Sequence, residues 1–357
     1  MLLPAVGFHL LRVSAVDRLT ADAVAITFEV PPALAQSFAF RPGQHLTLRR
    51  VLDGQDLRRT YSLCTSAAGG PLRVAVKRLD GGALSTWLCS QLTVGEEVEV
   101  LPPAGRFGPS VDPTRQCRYG LVAAGSGITP VLSIAATSLE VAPHSDVVLL
   151  YANRTSRDVM LLEELSDLKD RFPDRLQVLH VLSREEQESE LLSGRIDRDR
   201  LRSLFAMLLP PHEVDEWFLC GPLSMVEMTR QALIDEGVAP GDISTELFYA
   251  GVPPPRPPRD RALGSRVSRV TARLHGRTTH LTVQQDGERI LDALLAIRPD
   301  APFACRGGVC GTCRARVVSG AVEMDVNYAL EPEELSAGVV LTCQSRPVTD
   351  EVHLEYL

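Results

Sequence analysis

The stretch Cys305–Cys313 reads CRGGVCGTC and places three thiols within nine residues. The spacing is C-x4-C-x2-C, and a fourth cysteine, Cys343, follows after twenty-nine intervening residues. Disulfides, structural zinc, dithiol redox chemistry and an iron–sulfur cluster all begin from clustered cysteines. Zinc sites usually pair their ligands as two C-x2-C units, and a thioredoxin-like site needs only one such unit. Neither kind of site predicts the four-residue gap.

The spacing instead agrees with a 2Fe-2S site in which one loop supplies three thiolates and a distant segment supplies the fourth. Glycines at positions 307, 308 and 311 allow backbone N–H groups to approach and hydrogen-bond the sulfur atoms. We therefore predict a 2Fe-2S cluster, with zinc as the alternative. The predicted ligands are Cys305, Cys310, Cys313 and Cys343.

The composition limits the class of protein. The chain has 357 residues, 45% of them hydrophobic, which is enough for two or three packed domains. A net charge of −8 argues against nucleic-acid or anionic-membrane partners. No signal-peptide pattern and no apolar run of about 18 residues occurs, so we expect a cytoplasmic protein that does not enter a membrane. The remaining cysteines are expected to be small buried hydrophobes: Cys64, Cys89, Cys117 and Cys220.

The pattern along the chain predicts three domains and a linker. Residues 1–112 contain short alternating stretches such as AVAITFEV between Pro and Gly turns, which predicts an antiparallel β-barrel. Residues 113–250 alternate apolar strands with helical stretches, which predicts an α/β domain with a parallel sheet. Residues 251–265, GVPPPRPPRDRALGS, are too rich in proline for a helix or a sheet interior and are predicted to be an extended linker. Residues 266–357 open with a hairpin that turns at His275-Gly276, followed by a helix in ERILDALLA.

Two features of the first domain suggest a nucleotide-like ligand. In RRTYSLC, residues 58–64, alternation places Arg59 and Tyr61 on one face of a strand and Ser62 on the other. An arginine suits a pyrophosphate, a tyrosine ring stacks on a flat heterocycle, and a serine hydrogen-bonds a ring nitrogen. An exposed strand face without a ligand is the alternative. The second feature is a glycine, Gly82, ahead of an apparent helix start at Ser85 and Thr86. Glycines in this position leave unpaired N–H groups at the helix start facing a phosphate.

The second domain carries a glycine turn after its first strand. Residues 119–135, YGLVAAGSGITPVLSIA, predict strand, turn and helix, with Gly125 and Gly127 in the turn and Pro130 at the first helical position. The full G-x-G-x-x-G is missing, so a simple packing turn is the alternative. The stretch FLCGPLSM brings Cys220 and Gly221 to the carboxyl end of another strand, where open α/β sheets bind ligands.

In this order the modules resemble the ferredoxin–NADP reductase superfamily over residues 8–250, joined to a plant-type ferredoxin through ILDALL, CRGGVCGTC and LTCQS. The resemblance implies FAD in the barrel, a pyridine nucleotide in the α/β domain and a 2Fe-2S cluster in an α+β, β-grasp domain. The residues that it implies for FAD are Arg59, Thr60, Tyr61, Ser62, Val76, Lys77, Gly82, Ser85 and Thr86. Those that it implies for the nucleotide turn and the nicotinamide are Gly125, Gly127, Thr129, Pro130, Cys220 and Gly221.

The resemblance also implies a catalytic set. Glu246 and Phe248 in STELFYAG match the positions where related reductases place a carboxylate and an aromatic ring beside the flavin. The catalytic residues that we predict on this basis are Ser62, Cys220, Glu246 and Phe248.

The choice of nucleotide is predicted from residues near the expected adenosine ribose. Arg154 lies in NRTSRDV, and Ser183 and Arg184 lie in LSREE just past a strand. A serine and an arginine suit a 2′-phosphate, whereas an acidic residue would bind a 2′-hydroxyl. We predict NADPH, with NADH as the alternative because Glu185 and Glu186 follow immediately.

The order of the domains predicts the function. Nicotinamide gives up two electrons as a hydride, a 2Fe-2S cluster accepts one at a time, and a flavin joins the two. Together with residues 324–345, MDVNYALEPEELSAGVVLTCQS, the layout resembles oxygenase reductases and implies electron delivery to a di-iron oxygenase partner. The alternatives are the reductase of another oxygenase, such as a ketosteroid hydroxylase, a self-sufficient NAD(P)H:quinone reductase, or a zinc or redox-sensing binding module without flavin.

Overall fold

The computed structural model describes residues 7–248 and 266–357. The stretch predicted to be a proline-rich linker, residues 251–265, lies outside the described residues. The described chain forms two compact units, the larger within residues 7–248 and the smaller made mainly of residues 266–357.

The first domain is the predicted antiparallel barrel. Its elements are β1 (His9–Thr20), β2 (Ala23–Glu29), β3 (His45–Leu52), β4 (Gln55–Ser62), β5 (Leu72–Lys77), α1 (Ala83–Ser90) and β6 (Glu97–Val100). The strand order is β4-β3-β6-β1-β2-β5, and an antiparallel bridge between Leu63 and Val74 joins the end of β4 to β5. Alternating side chains such as Leu46 and Leu48 on β3 and Val74 on β5 fill the interior.

The second domain is the predicted parallel sheet covered by helices on both faces. Its elements are β7 (Arg118–Ala124), α2 (Ile128–Val141), β8 (Asp146–Asn153), α3 (Leu162–Arg171), β9 (Leu176–Leu182), α4 (Arg198–Met207), β10 (Glu216–Gly221), α5 (Leu223–Asp235) and β11 (Ile243–Leu247). The strand order β11-β10-β7-β8-β9 is parallel throughout. Helices α2 and α3 pack on one face, and α4 and α5 pack on the other. Helix α2 begins at Ile128, so Pro130 is its third residue rather than its first.

One hydrophobic core continues from the barrel into the parallel sheet. Ala75 and Phe107 of the barrel share a cluster with Leu121 and Phe218 of the sheet. Polar contacts support it, because the half-buried Arg73 on β5 donates to the Glu164 carboxylate on α3 at 2.7 Å. The end of β4 and the carboxyl edge of the parallel sheet therefore belong to one body.

The smaller unit is an α+β domain. Its elements are β12 (Val267–Leu274), β13 (Arg277–Gln284), α6 (Ile290–Leu295), β14 (Arg314–Ser319), β15 (Val322–Met324), α7 (Pro332–Ser336), β16 (Val339–Leu341), β17 (Ser345–Pro347) and β18 (Glu351–Tyr356). Five strands form a mixed sheet in the order β13-β12-β18-β14-β16, and β15 pairs with β17. The predicted hairpin turns at His275 and Gly276, both with positive φ, as a tight two-residue hairpin turn requires. Helix α6 covers the sheet with Ile290, Leu291 and Leu294.

Among residues 7–248 and 266–357, no helix is long and apolar enough to cross a membrane.

Candidate functional site

The carboxylate of Glu246 is the centre of a buried polar cluster between the barrel and the parallel sheet. Ser62, the last residue of β4, donates its hydroxyl to Glu246 Oε2 at 3.2 Å. The thiol of Cys220 on β10 points at the same oxygen, with Sγ 4.0 Å away. Because β10 and β11 are parallel neighbours with Cys220 opposite Glu246, the two side chains meet at the carboxyl edge of the sheet. Three of the four predicted catalytic residues are therefore in contact.

Burial determines the protonation state of this cluster. The Glu246 side chain is only 15% exposed, and its burial raises the pKa of the carboxyl to about 8, although the Ser62 hydrogen bond opposes the rise. Burial also raises the pKa of the Cys220 thiol well above its usual value, and the nearby Glu246 adds to the rise. At neutral pH the cluster therefore holds a protonated carboxyl and a neutral thiol.

His45 also belongs to this cluster, and the sequence interpretation did not include it. The His45 ring is buried on β3, and its Nδ1 lies 3.9 Å from Glu246 Oε1. Gly105 provides the space, because a Cβ there would lie 3.0 Å from His45 Nδ1. His45 and Glu246 come from opposite ends of the larger unit's sequence, and no local pattern links them.

The fourth predicted catalytic residue, Phe248, follows β11. It is partly buried against the shared core, and its backbone N–H donates to Gly221 O at 3.1 Å. This bond brings Phe248 beside Gly221 at the same edge as Cys220 and Glu246.

The glycine turn between β7 and α2 packs directly on the end of β10. A Cβ at Gly127 would lie 2.3 Å from Cys220 O, so only glycine allows the two backbones to approach this closely. Gly125 has φ +54° and would have nothing within 4 Å of a Cβ, so it borders open space. Thr129 is buried and donates its hydroxyl to Ser126 O at 3.1 Å. The turn thus offers a rigid backbone edge beside Cys220, as a dinucleotide requires.

Tyr151 contacts this turn from the neighbouring strand and was missed by the sequence interpretation. Its ring is fully buried on β8, and its hydroxyl lies 3.1 Å from Gly125 O. The Tyr151 hydroxyl oxygen in turn accepts a hydrogen bond from Met160 N at 3.2 Å. A tyrosine in an apolar strand is usually a core residue, so the sequence carried no signal for this contact.

The predicted flavin residues on β4 differ in exposure. Arg59 is exposed, Thr60 and Tyr61 are half-buried, and Ser62 is buried. From Arg59 to Ser62 burial rises and does not alternate as predicted, but the strand brings the Ser62 hydroxyl to the Glu246 cluster. The exposed Arg59 has its Nη1 2.7 Å from Arg58 O, which holds the guanidinium along the strand.

The glycine turn before α1 fits a phosphate through its backbone rather than through Ser85. The helix begins at Ala83, with Gly82 as a cap that makes no side-chain hydrogen bond, so its first N–H groups have no side-chain acceptor. The Ser85 hydroxyl donates to Gly82 O and accepts from Leu79 N, both at 3.1 Å, so it shapes the turn. Thr86 is exposed in the first helical turn.

The two remaining predicted flavin residues lie at the end of β5. The side chain of Val76 is buried in the barrel core, so only its backbone is available to a ligand. Lys77 Nζ lies 3.5 Å from Asp22 Oδ2, which fixes the ammonium group at the strand end.

The residues predicted for the adenosine phosphate meet at the ends of β8 and β9. The N–H of Ser183 donates to Asn153 O at 2.9 Å and that of Arg184 donates to Arg154 O at 2.8 Å. Arg154 pairs with Asp158 at 2.9 Å. The exposed Arg184 guanidinium makes no ion pair within residues 7–248 and 266–357.

Glu185, one of the two acidic residues that kept NADH as an alternative, is bound by the protein itself. Its carboxylate accepts hydrogen bonds from Ser156 N at 2.8 Å and from Ser156 Oγ at 3.0 Å. The neighbouring Arg184 is therefore the more available group for a ligand.

The four predicted cluster ligands form two pairs of neighbouring thiols, Cys305 with Cys310 and Cys313 with Cys343. Hydrogen bonding from Cys310 lowers the pKa of Cys305 to about 6, and hydrogen bonding from Cys313 lowers the pKa of Cys343. Cys305 and Cys310 are half-buried, whereas Cys313 and Cys343 are buried. Two irons bridged by sulfide need two thiolates each, so a two-pair arrangement fits a 2Fe-2S cluster.

Donors surround these sulfur atoms. Gly307 N lies 3.3 Å from Cys305 Sγ, and the Thr312 hydroxyl lies 3.2 Å from Cys310 Sγ. The Gln344 amide lies 3.4 Å from Cys343 Sγ. Gly308 has φ +79°, and a Cβ there would lie 3.2 Å from both Gln344 Cγ and Val326 Cγ2. Donors to thiolates and a glycine that lets the loop close are the features that such a cluster needs.

Three family models match successive parts of the chain. An oxidoreductase FAD-binding domain matches residues 10–108, an oxidoreductase NAD-binding domain matches residues 121–231, and a 2Fe-2S iron–sulfur cluster binding domain matches residues 272–348. The cofactors predicted from the sequence, FAD, a pyridine nucleotide and a 2Fe-2S cluster, are thereby confirmed as classes. The match of the last domain decides against the zinc alternative.

Two relatives match almost the whole chain. One subunit of the 1,2-phenylacetyl-CoA epoxidase of Escherichia coli K12 is 45% identical over 98% of both chains. The ferredoxin reductase component of the 3-ketosteroid-9-alpha-monooxygenase of Rhodococcus rhodochrous is 38% identical, over 97% of this chain and 96% of the relative. This chain belongs to the same family of reductases. Membership in this reductase family confirms the prediction of an NAD(P)H-dependent electron-transfer oxidoreductase.

A solved structure confirms the fold of the reductase family. Phthalate dioxygenase reductase, described as a modular structure for electron transfer from pyridine nucleotides to 2Fe-2S, matches with a TM-score of 0.60 and 24% identity over 98% of both chains. The barrel, the parallel-sheet domain and the C-terminal 2Fe-2S domain thus occur in the predicted order.

Proposed function

We propose that the chain is the reductase subunit of a phenylacetyl-CoA epoxidase and transfers electrons from NADPH to a di-iron oxygenase subunit. The observation that carries the proposal is the 45% identity to a subunit of the Escherichia coli epoxidase over 98% of both chains. A match of this extent includes the barrel, the parallel sheet and the cysteine loop.

The residues of the chain support this chemistry. A bound FAD would supply the conversion between the two-electron chemistry of the nicotinamide and the one-electron chemistry of the 2Fe-2S cluster. We propose that Ser62 hydrogen-bonds the flavin while its contact with Glu246, at 3.2 Å, connects it to a buried proton. The neutral, buried Cys220 and the closely packed Gly127 would orient the nicotinamide against that ring. Phe248, held beside Gly221 by its backbone hydrogen bond, would contribute an aromatic ring to the same site.

Backbone groups would bind the phosphates of both nucleotides. We assign the FAD pyrophosphate to Arg59 and to the N–H groups that follow Gly82 at the start of α1, where no side chain caps the helix. The pyrophosphate of NADPH is assigned to the turn of Gly125 and Gly127, which borders open space.

NADPH is the proposed nucleotide because an exposed cation lies where its 2′-phosphate is expected. Arg184 is exposed beside Ser183 and Arg154, and the competing carboxylate of Glu185 is bound to Ser156 at 2.8 Å. A guanidinium binds a phosphate with paired hydrogen bonds, which a ribose hydroxyl cannot match.

The domain limits and the location are also proposals. We propose an FAD domain over residues 1–112, a nucleotide domain over 113–250, a linker over 251–265 and a ferredoxin domain over 266–357. A cytoplasmic location is supported by the four cysteines outside the cluster site, which are buried free thiols, because a reducing compartment keeps thiols free.

Reconstitution with purified oxygenase subunits tests the proposed partner. We expect NADPH-dependent epoxidation of phenylacetyl-CoA when the wild-type chain is mixed with the oxygenase subunits of the epoxidase. The Cys310→Ser variant should give no product in the same assay. The ketosteroid alternative, supported by 38% identity, predicts efficient turnover with a ketosteroid monooxygenase oxygenase component instead. Product formation only with the ketosteroid system, or rapid quinone reduction without any oxygenase, would refute the epoxidase assignment.

A further inference from the structure

Gln344 connects two parts of the cluster site that lie far apart in the sequence. Its side chain is buried, only 1% exposed, and directly follows the fourth ligand, Cys343. Its Nε2 lies 2.8 Å from Arg306 O and 3.4 Å from Cys343 Sγ. A primary amide carries two N–H groups, so one can bind the carbonyl while the other faces the sulfur. This single side chain therefore touches both the cysteine loop and the fourth ligand.

The amide is held rigidly in this position. The backbone of Gln344 donates to Leu341 O at 2.8 Å and accepts from Asp325 N at 2.9 Å. The Asp325 carboxylate is in turn paired with the half-buried Arg289 and the buried Arg346. The stem of Gln344 also fills the space left by Gly308, since a Cβ at Gly308 would lie 3.2 Å from Gln344 Cγ. The donor cannot easily rotate away from the sulfur.

We propose that Gln344 is a positioning residue that raises the reduction potential of the 2Fe-2S cluster and holds the cysteine loop in its ligating conformation. The proposal rests on the cluster assigned to these cysteines and is independent of the oxygenase that accepts the electrons. Reduction adds negative charge to the cluster and its thiolates. An N–H dipole aimed at Cys343 Sγ stabilises that added charge, and burial strengthens the effect.

The second effect acts through Arg306. This residue follows Cys305 and adopts φ +54°, a left-handed conformation that is unfavourable for any residue with a Cβ. The hydrogen bond from Gln344 to Arg306 O fixes this peptide and so keeps the loop around the cluster. Loss of the bond should release iron faster, separately from any change in potential.

Gln344→Met tests both effects, because methionine keeps the length and the packing on Gly308 but has no N–H donor. We expect the equilibrium constant for cluster reduction to fall about tenfold, which for a one-electron couple is about 59 mV towards more negative potential. The measurement is a redox titration of the full chain monitored by electron paramagnetic resonance, without any partner protein. Release of iron to a chelator should become several-fold faster.

Two further variants sharpen the test. Gln285→Met makes the same change in the same domain, where the Gln285 amide donates to Ser268 Oγ at 3.1 Å, and should leave the cluster potential unchanged. Gln344→Asn keeps the amide but is one methylene shorter, so it cannot span both acceptors, and its potential decides the question if the methionine variant assembles no cluster.

A third variant separates the two effects. Glycine adopts the left-handed conformation easily, so in Arg306→Gly the loop no longer depends on the hydrogen bond from Gln344. Adding Gln344→Met to this variant should still lower the reduction potential. It should not make iron release any faster than in Arg306→Gly alone. The proposal would be overturned if, in both Gln344 variants, the spectrum showed the cluster and the equilibrium constant for its reduction stayed within about twofold of the wild-type value. The electron-transfer function would then remain intact.

Discussion

At the scale of single residues, Glu246 illustrates how burial prepares a group for chemistry. A carboxyl at the surface would be ionised at neutral pH, but burial raises the pKa of Glu246 to about 8 even though the hydrogen bond from Ser62 opposes the rise. A neutral carboxyl does not repel a hydride that approaches the flavin. Above about pH 8 the group gains a negative charge, and that advantage is lost.

The pH dependence of hydride transfer tests this role. In wild type, we expect the rate of flavin reduction by NADPH to fall as the pH rises through about 8, because Glu246 loses its proton there. In Glu246→Gln, which stays neutral, the fall should disappear, whereas the rate near pH 7 should drop by about tenfold or less. Stopped-flow absorption between pH 6 and pH 10, roughly, measures both. An unchanged fall in the glutamine variant would assign the titration to another group.

Arg184 is the residue on which the choice of nucleotide depends. Arg184→Ala should weaken the binding of NADPH by about 2 kcal/mol and raise its KM roughly thirtyfold, because a charge-assisted contact to the 2′-phosphate is lost. NADH has no such phosphate, so its KM should change by about twofold or less. Arg202→Ala, a similarly exposed arginine on α4, provides the control. Equal losses for NADPH and NADH would place the phosphate elsewhere.

At the scale of elements, the turn between β7 and α2 distinguishes two glycines that look alike in the sequence. A methyl group at Gly127 would meet Cys220 O at 2.3 Å, whereas one at Gly125 would meet nothing within 4 Å. Gly125 needs glycine for its φ of +54°, but Gly127 needs it for the close approach of two backbones.

Alanine substitutions should separate these two requirements. Gly127→Ala should lower the free energy of unfolding by about 3 kcal/mol, because β10 or the turn must move, and should weaken NADPH binding strongly. Gly125→Ala should lower the free energy of unfolding by only about 1 kcal/mol, the cost of a left-handed alanine. Chemical denaturation and direct titration with NADP⁺ measure the two quantities. Equal destabilisation by both variants would contradict the packing account.

The elements themselves were largely predictable. Alternating residues predicted the barrel strands, and apolar runs separated by amphipathic stretches predicted the parallel sheet. The positions at which helices begin were predicted less accurately. The start of α1 was expected at Ser85 and Thr86, yet the helix begins at Ala83, and the Ser85 hydroxyl hydrogen-bonds back to Gly82 and Leu79.

At the scale of the whole molecule, local patterns predicted the cofactors but not the contacts around them. The cluster ligands were found because three of the four lie within nine residues. Ser62 was a candidate from the strand pattern of RRTYSLC, whereas Glu246 was reached only through family resemblance, and no pattern predicted that these two residues, 184 positions apart, are in contact. His45, Tyr151 and Gln344 have no local signature, because each acquires its role only when distant strands meet.

The molecule as a whole is predicted to carry electrons along one path from NADPH through the flavin to the cluster. Cys310→Ser should interrupt this path at its last step, because a 2Fe-2S cluster needs four thiolates and Cys310 is one of the four predicted ligands. In this variant we expect cytochrome c reduction to fall to background, while reduction of ferricyanide by the flavin continues at a rate within about twofold of wild type.

The visible absorption spectrum of the purified protein during anaerobic titration with NADPH tests the central claim most directly. The account predicts that wild type shows overlapping flavin and 2Fe-2S bands, which bleach together. Cys310→Ser should show only flavin bands, which also bleach. A wild-type protein whose cluster bands stay oxidised after the flavin is fully reduced, or one that shows no cluster bands after reconstitution with iron and sulfide, would contradict it.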